Sequence, residues 1–385
     1  MSAPVSKGRL IPAAILAILV YGMIAAMFGT ILPELNLTPE QSGYILMAQA
    51  LGLTIASVSV GPLIDTKGKK TGLLLGLALI ALSLFALPNA GSYNLVMVFA
   101  VTLGLGGGII VTAANALVSD ISEEKRASTL NLLNLFFGLG GLLTPFIAGN
   151  LLGGKALNMC YLTAVLTTGT LILHAVTPMP PPSGERGFKS SEAGALLGRP
   201  ALFLLSAYLF LYVACEVGVW NWLAKHLIAQ GVPKDSALTI LSLGFALGLL
   251  IGRVVVSRIL IKIPAPTVTL GAAVLMAITT FGMLQSSDPT VAGVLVFLAG
   301  IAMAPVFPTT LAMVGDAFPR MTATAMGIVI TCGWIGLLVS SPIIGAMAGG
   351  SDVNLKSALL LLPACSVLMV FVNLALRPAL KQQPA

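Results

Sequence analysis

One acid, Glu216, stands in the middle of the apolar stretch 201–222, and its setting is the clearest call for chemistry in this sequence. A carboxylate facing hydrocarbon there costs about 3 kcal/mol even on lenient insertion scales, so a cation, a proton or a hydrogen-bonding ligand must compensate for it. Tyr208, Tyr212 and Trp220 recur with it at every fourth residue, and Asn221 follows directly. That spacing puts the four on one slowly drifting helix face. Aromatic rings can cover the C–H faces of a sugar while a carboxylate receives its hydroxyls, and the same rings beside a carboxylate can hold an organic cation. Polar groups elsewhere in apolar stretches are few: Gln49, Asn115, Asn131, Asn134 and Thr331. Each amide can bind a hydroxyl or hydrogen-bond one helix to another, and both readings stand. Trp222 reads as an interfacial anchor. An embedded hydrolase would need a nucleophile with a base, or a metal cluster. Cys160, Cys215, Cys332, Cys365, His174 and His226 have no metal-ligand spacing, and no histidine or second acid is near Glu216 in the sequence, so no enzyme is expected.

The elements that position these residues follow from composition. Hydrophobic residues make up 57% of the 385 residues and charged ones 9%, and the mean hydropathy is +1.01. Runs of about 20 apolar residues, the length that crosses a hydrocarbon core, repeat along the chain. They predict twelve transmembrane helices, at 10–33, 41–64, 71–89, 93–118, 128–152, 157–177, 200–224, 236–256, 267–285, 290–313, 323–346 and 356–377. The first run follows Lys7 and Arg9 and is too long for a signal-peptide core, so it reads as an uncleaved span. The net charge of +7 is topological. With these spans, every basic residue except Lys155, Lys225, Lys234 and Lys356 lies on one side, which makes that side, both termini included, cytoplasmic. No soluble basic face remains for nucleic acid.

A polar, proline-rich connection at 178–199 divides the chain into an N-terminal bundle, 1–177, and a C-terminal bundle, 200–385, of six helices each. An offset of 196 residues lays Gly104 on Gly300, Asp120 on Asp316, Gly140 on Gly336 and Gly153-Gly154 on Gly349-Gly350. Such matches in one register point to a duplicated six-helix unit, an architecture that places a substrate site near mid-membrane between its halves.

Between the second and third spans the chain reads Gly61-Pro-Leu-Ile-Asp65-Thr-Lys67-Gly68-Lys69-Lys70. This resembles the signature loop of the major facilitator superfamily. The resemblance implies an all-α membrane fold of two pseudo-symmetric six-helix bundles, with Gly61, Asp65 and Lys69 at a cytoplasmic gate. Gly252, Arg253, Ser257 and Arg258 stand at the matching place of the second half, which makes Arg253 the partner gate residue and that copy degenerate.

Residues 127–149 and the run from Tyr212 to Trp222 are similar to the fifth and seventh helices of the fucose-permease branch, whose members carry sugars with protons or sodium. The stripe and the scarce amides give a candidate substrate site of Glu216, Tyr212, Trp220, Asn221, Asn134, Asn115, Asn131 and Gln49, with Glu216 also the candidate coupling group. The proton-coupled carriers of that branch place acids in their first and fourth helices, where this chain has none and Asn115. Coupling therefore falls to Glu216, with H+ or Na+ as the ion and no other cofactor, or the chain is a uniporter. The expectation is a monomeric carrier of a small polar solute, foremost a sugar, in the plasma (inner) membrane. The alternative is an exporter of hydrophobic or cationic compounds.

Overall fold

A run of apolar residues in lipid has to satisfy its own backbone, and here it does so as helix throughout. In the computed structural model, residues 7–121, 126–179, 198–286, 288–318, 322–349 and 351–381 are described, and their regular structure is entirely helical. Among them, 11 helices are long and apolar enough to cross a membrane, or up to 12 if the pair Leu10–Ala25 and Met27–Glu34, bent by 42°, is one span. In chain order they are α1 (Lys7–Ala25), α2 (Met27–Ile31), α3 (Pro39–Lys67), α4 (Lys69–Ala86), α5 (Tyr93–Ile121), α6 (Arg126–Phe146) and α7 (Asn158–Val176). There follow α8 (Pro200–Ala229), α9 (Lys234–Thr239), α10 (Leu247–Ile259), α11 (Ala265–Gln285), α12 (Pro289–Met303), α13 (Val306–Ala317), α14 (Thr322–Met347), α15 (Leu355–Ala358) and α16 (Leu361–Lys381).

Helix ends are set by local chemistry. Thr38 and Gln41 form a reciprocal capping box at the start of α3: the Thr38 N–H donates to Gln41 Oε1 at 3.1 Å, and the Gln41 N–H donates to Thr38 Oγ1 at 3.2 Å. Pro39 takes the first helical position, where a missing N–H costs nothing. Asp288 caps α12 by accepting from the Thr290 and Val291 N–H groups at 2.8 and 2.9 Å. Gly68 has φ +87°, a conformation that favours glycine, and this lets α4 begin at once after α3. Lys70 then donates to the carbonyls of Ala175 and Thr177 at 2.7 and 3.1 Å, closing the C-terminal end of α7. At the other end of α7, Glu34 accepts from the N–H groups of Ala156 and Leu157 at 2.8 and 2.7 Å. Two π-helical turns, Ile147–Leu151 and Ile240–Ala246, interrupt regular α-helix. The tenth predicted span breaks between Met303 and Val306, at Pro305.

The helices group into two units. One takes the described residues of Met1–Glu34 and Ala48–Phe188, the other those of Leu35–Met47 and Lys189–Ala385. Each unit contains the same close helix crossing. In the first, Gly104 lies against the backbone carbonyl of Gln49; in the second, Gly300 lies against that of Phe245. Gln49 and Phe245 are separated by the same 196 positions as the two glycines, so the repeat holds for contacts as well as for residue types. A side chain at either glycine would occupy the space of a neighbouring backbone, the usual reason for small residues at membrane helix crossings.

Candidate functional site

α8 carries the predicted stripe, and packing decides what each member does. Tyr208 and Tyr212 are fully buried, Trp220 is 4% exposed and Glu216 is 8% exposed. The hydroxyl of Tyr208 donates to the Thr269 carbonyl at 2.7 Å, and the Thr269 hydroxyl accepts from Asn373 at 2.8 Å. Tyr208 is thereby tied to α11. Tyr212 donates its hydroxyl proton to the Met303 carbonyl at 3.0 Å, at the end of α12, where the break before Val306 frees that oxygen from regular helix bonding. Trp220 packs edge-on against Phe245, with ring centroids 5.0 Å apart.

Glu216 sits among these groups. Tyr212 and Trp220, one turn to either side, interact with its carboxyl through their side chains, and the Arg253 guanidinium acts on it electrostatically. Arg253 acts on Tyr212 as well. Arg253, the predicted partner gate residue, lies inside α10, within the candidate span Lys234–Val256. Its long side chain brings a positive charge to the acid from a second helix. Sequence spacing could not reveal this, because the two residues stand 37 positions apart on different helices.

The other predicted residues have separate settings. Asn221, fully buried, lies around the helix from Glu216 rather than in its stripe, and its amide nitrogen and oxygen have no hydrogen-bond partner among the described residues. Trp222 is fully buried, so it is not the interfacial anchor expected from its position. In the first unit, Gln49 is 4% exposed and donates to the Ile24 carbonyl at 3.4 Å, joining α3 to α1. Asn115 donates to Val111 one turn back in its own helix, at 2.7 Å. Asn134 is exposed on α6. The side chains of Asp65 and Asn131 and the surroundings of Gly61 lie outside the described residues. Lys69 opens α4 directly after Gly68 and is half-buried. Lys225 falls just beyond the predicted seventh span, 200–224, yet α8 continues to Ala229 and buries it.

The family model described as "Major Facilitator Superfamily" matches residues 10–341 and again 234–384. The chain belongs to the Major Facilitator Superfamily. It is thus a multi-pass membrane transporter and not an enzyme. Among curated relatives, the chain is 22% identical over 382 residues to the Glucose/mannose transporter GlcP of Bacillus subtilis, covering 94% of this chain and 93% of that one. It is 25% identical over 225 residues to the Quinolone resistance protein NorA of Staphylococcus aureus, covering 57% of this chain and 58% of the relative. The fold of a solved D-xylose-proton symporter superposes with a TM-score of 0.79 at 15% identity, covering 96% of this chain and 97% of that one. At that identity the likeness establishes fold alone.

Proposed function

We propose that the protein is a secondary transporter that moves a small polar solute, a sugar in our reading, by alternating access. The observation that carries this reading is the setting of Glu216, a buried acid flanked by two aromatic side chains and countered by Arg253. An acid that already has a cation acting on it presents little net charge to an organic cation, yet its oxygens still accept hydroxyl protons. Tyr212 and Trp220 supply the apolar surface that sugar rings stack against. The names of GlcP and of the xylose symporter agree with this choice, while that of NorA keeps the exporter of hydrophobic or cationic compounds as the second reading.

Glu216 is also our coupling group. The Tyr212 hydroxyl, within reach of both the Met303 carbonyl and the Glu216 carboxyl, can serve either acceptor. The Glu216 carboxyl can take up a proton or hold a sodium ion, so H+ or Na+ is the coupling ion. The transporter acts as a monomer in the plasma (inner) membrane with both termini cytoplasmic, in keeping with the bias of its basic residues.

The test is counterflow of a labelled hexose into proteoliposomes preloaded with unlabelled sugars, run in parallel with a labelled quinolone. Hexose exchange that other sugars compete and a quinolone does not is the expected result. Quinolone movement without hexose exchange would transfer the site to the exporter reading.

A further inference from the structure

The far end of α8 bears a second polar arrangement, apart from the Glu216 stripe. Lys225 is 5% exposed. Its ammonium donates to the Leu37 carbonyl at 2.7 Å and to the Ser42 hydroxyl oxygen at 3.2 Å. Ser42 passes its own proton to the Thr38 carbonyl at 2.9 Å. One lysine of α8 therefore holds both the turn before α3 and the first turn of that helix. The turn is itself preformed, since Asn36 adopts a left-handed φ of +50° and the Thr38–Gln41 capping box starts the helix behind it.

Beside this clasp, the first turn of α3 meets α14 backbone to backbone. A Cβ on Gly43 would stand 2.6 Å from the Ser341 carbonyl oxygen, and one on Gly345 would stand 2.6 Å from that of Pro39. The two glycines allow the start of α3 to lie flush on the second unit, with which Leu35–Met47 is grouped; from Ala48 onward the same helix belongs to the first unit. A device that fixes or releases these first turns thus acts on a helix whose remainder lies in the other unit.

Asn221 lies one turn before Lys225 on the same face of α8. It is fully buried, and neither its amide nitrogen nor its oxygen is hydrogen-bonded among the described residues. A buried amide with four bonding positions unfilled opposes the closed arrangement, because opening lets water or solute fill them. The hydrogen bonds of Lys225 favour closure. We infer that Lys225 and Asn221 form a two-sided latch on the start of α3: Lys225 holds it down through Leu37 and Ser42, while the unbonded Asn221 amide biases it to lift. Its place in a transport cycle rests on the alternating-access reading. Its existence does not depend on which solute is carried.

The latch can be tested without solute. Leu46 is buried and lies one turn beyond Ser42 on α3, so a Leu46→Cys reporter reacts with a maleimide only when this end of the helix lifts. In full-length protein in proteoliposomes, with the half-buried Cys332 replaced by alanine, the labelling rate reads the latch. Lys225→Met should speed labelling about tenfold, the scale of lost hydrogen bonds to a charged group. Ser42→Ala, which removes one acceptor and leaves the helix cap in place, should speed it less but in the same direction. Asn221→Leu, which replaces the unbonded amide by an apolar group of similar size, should slow it. Rates for Lys225→Met and Ser42→Ala within about twofold of the parent, or faster labelling in Asn221→Leu, would overturn the inference. Should Lys225→Met fail to assemble, the opposite directions expected for Ser42→Ala and Asn221→Leu still decide it.

Discussion

Glu216→Gln abolishes ion-driven accumulation of solute and leaves exchange of solute across the membrane running. Glutamine keeps the length of the side chain and a carbonyl acceptor toward Trp220 and Tyr212, so the solute can still be held. What it loses is the ability to change charge. A coupling ion can drive the cycle only if its binding favours one conformation over another, and an amide that never ionises offers it no such differential. In proteoliposomes with an imposed proton gradient, the variant should therefore bring internal solute no higher than external, while counterflow stays within about threefold of the parent, the scale of one altered hydrogen bond. A variant that still concentrates solute removes Glu216 from coupling. One that loses counterflow as completely as accumulation makes it a binding residue only.

The largest structural effect belongs to the paired glycines. Gly104→Val and Gly300→Val each push a branched side chain into a backbone carbonyl of the neighbouring helix, that of Gln49 in one unit and of Phe245 in the other. A backbone oxygen cannot rotate away as a flexible side chain can, so the helices must separate along the crossing. The cost is about 3 kcal/mol or more, a large share of the stability of an ordinary domain. Both variants should give much less monodisperse protein in detergent and a lower unfolding temperature. Gly271→Val is the control, because a Cβ there has no neighbour within 4 Å, and it should match the parent. Equal stability in all three would mean that the close crossing is not what joins these helices.

The two sets of residues also show which parts of the molecule a sequence discloses. Membrane spans follow from hydropathy, which is additive along the chain, and the predicted spans match the helices to within a few residues at most ends. The glycine repeat was readable because a helix crossing needs the absence of a side chain, a property of the residue itself. Glu216 was readable because its cost is local. The partners of Arg253 and Lys225 were not readable for the opposite reason. Both have long side chains that reach a partner on another segment, and Lys225 lies in a helix that continues past the expected end of its span. Trp222 was misjudged because nearness to the end of a span does not decide which face of the helix is covered. The π-helical turns Ile147–Leu151 and Ile240–Ala246 had no signature of their own, since a bulge depends on how neighbours pack.

The acid of α8, with its flanking aromatic rings and opposing arginine, is where we propose that a polar solute binds. Thermal unfolding of the purified protein with a panel of hexoses and a panel of hydrophobic cations is the decisive measurement, because a ligand that binds the folded state raises the unfolding temperature, and more so as its concentration exceeds its Kd. At least one hexose should stabilise the protein, an effect lost or sharply reduced in the double variant Tyr212→Ala/Trp220→Ala, and the cations should have none. Stabilisation by a hydrophobic cation with every hexose silent would contradict that proposal.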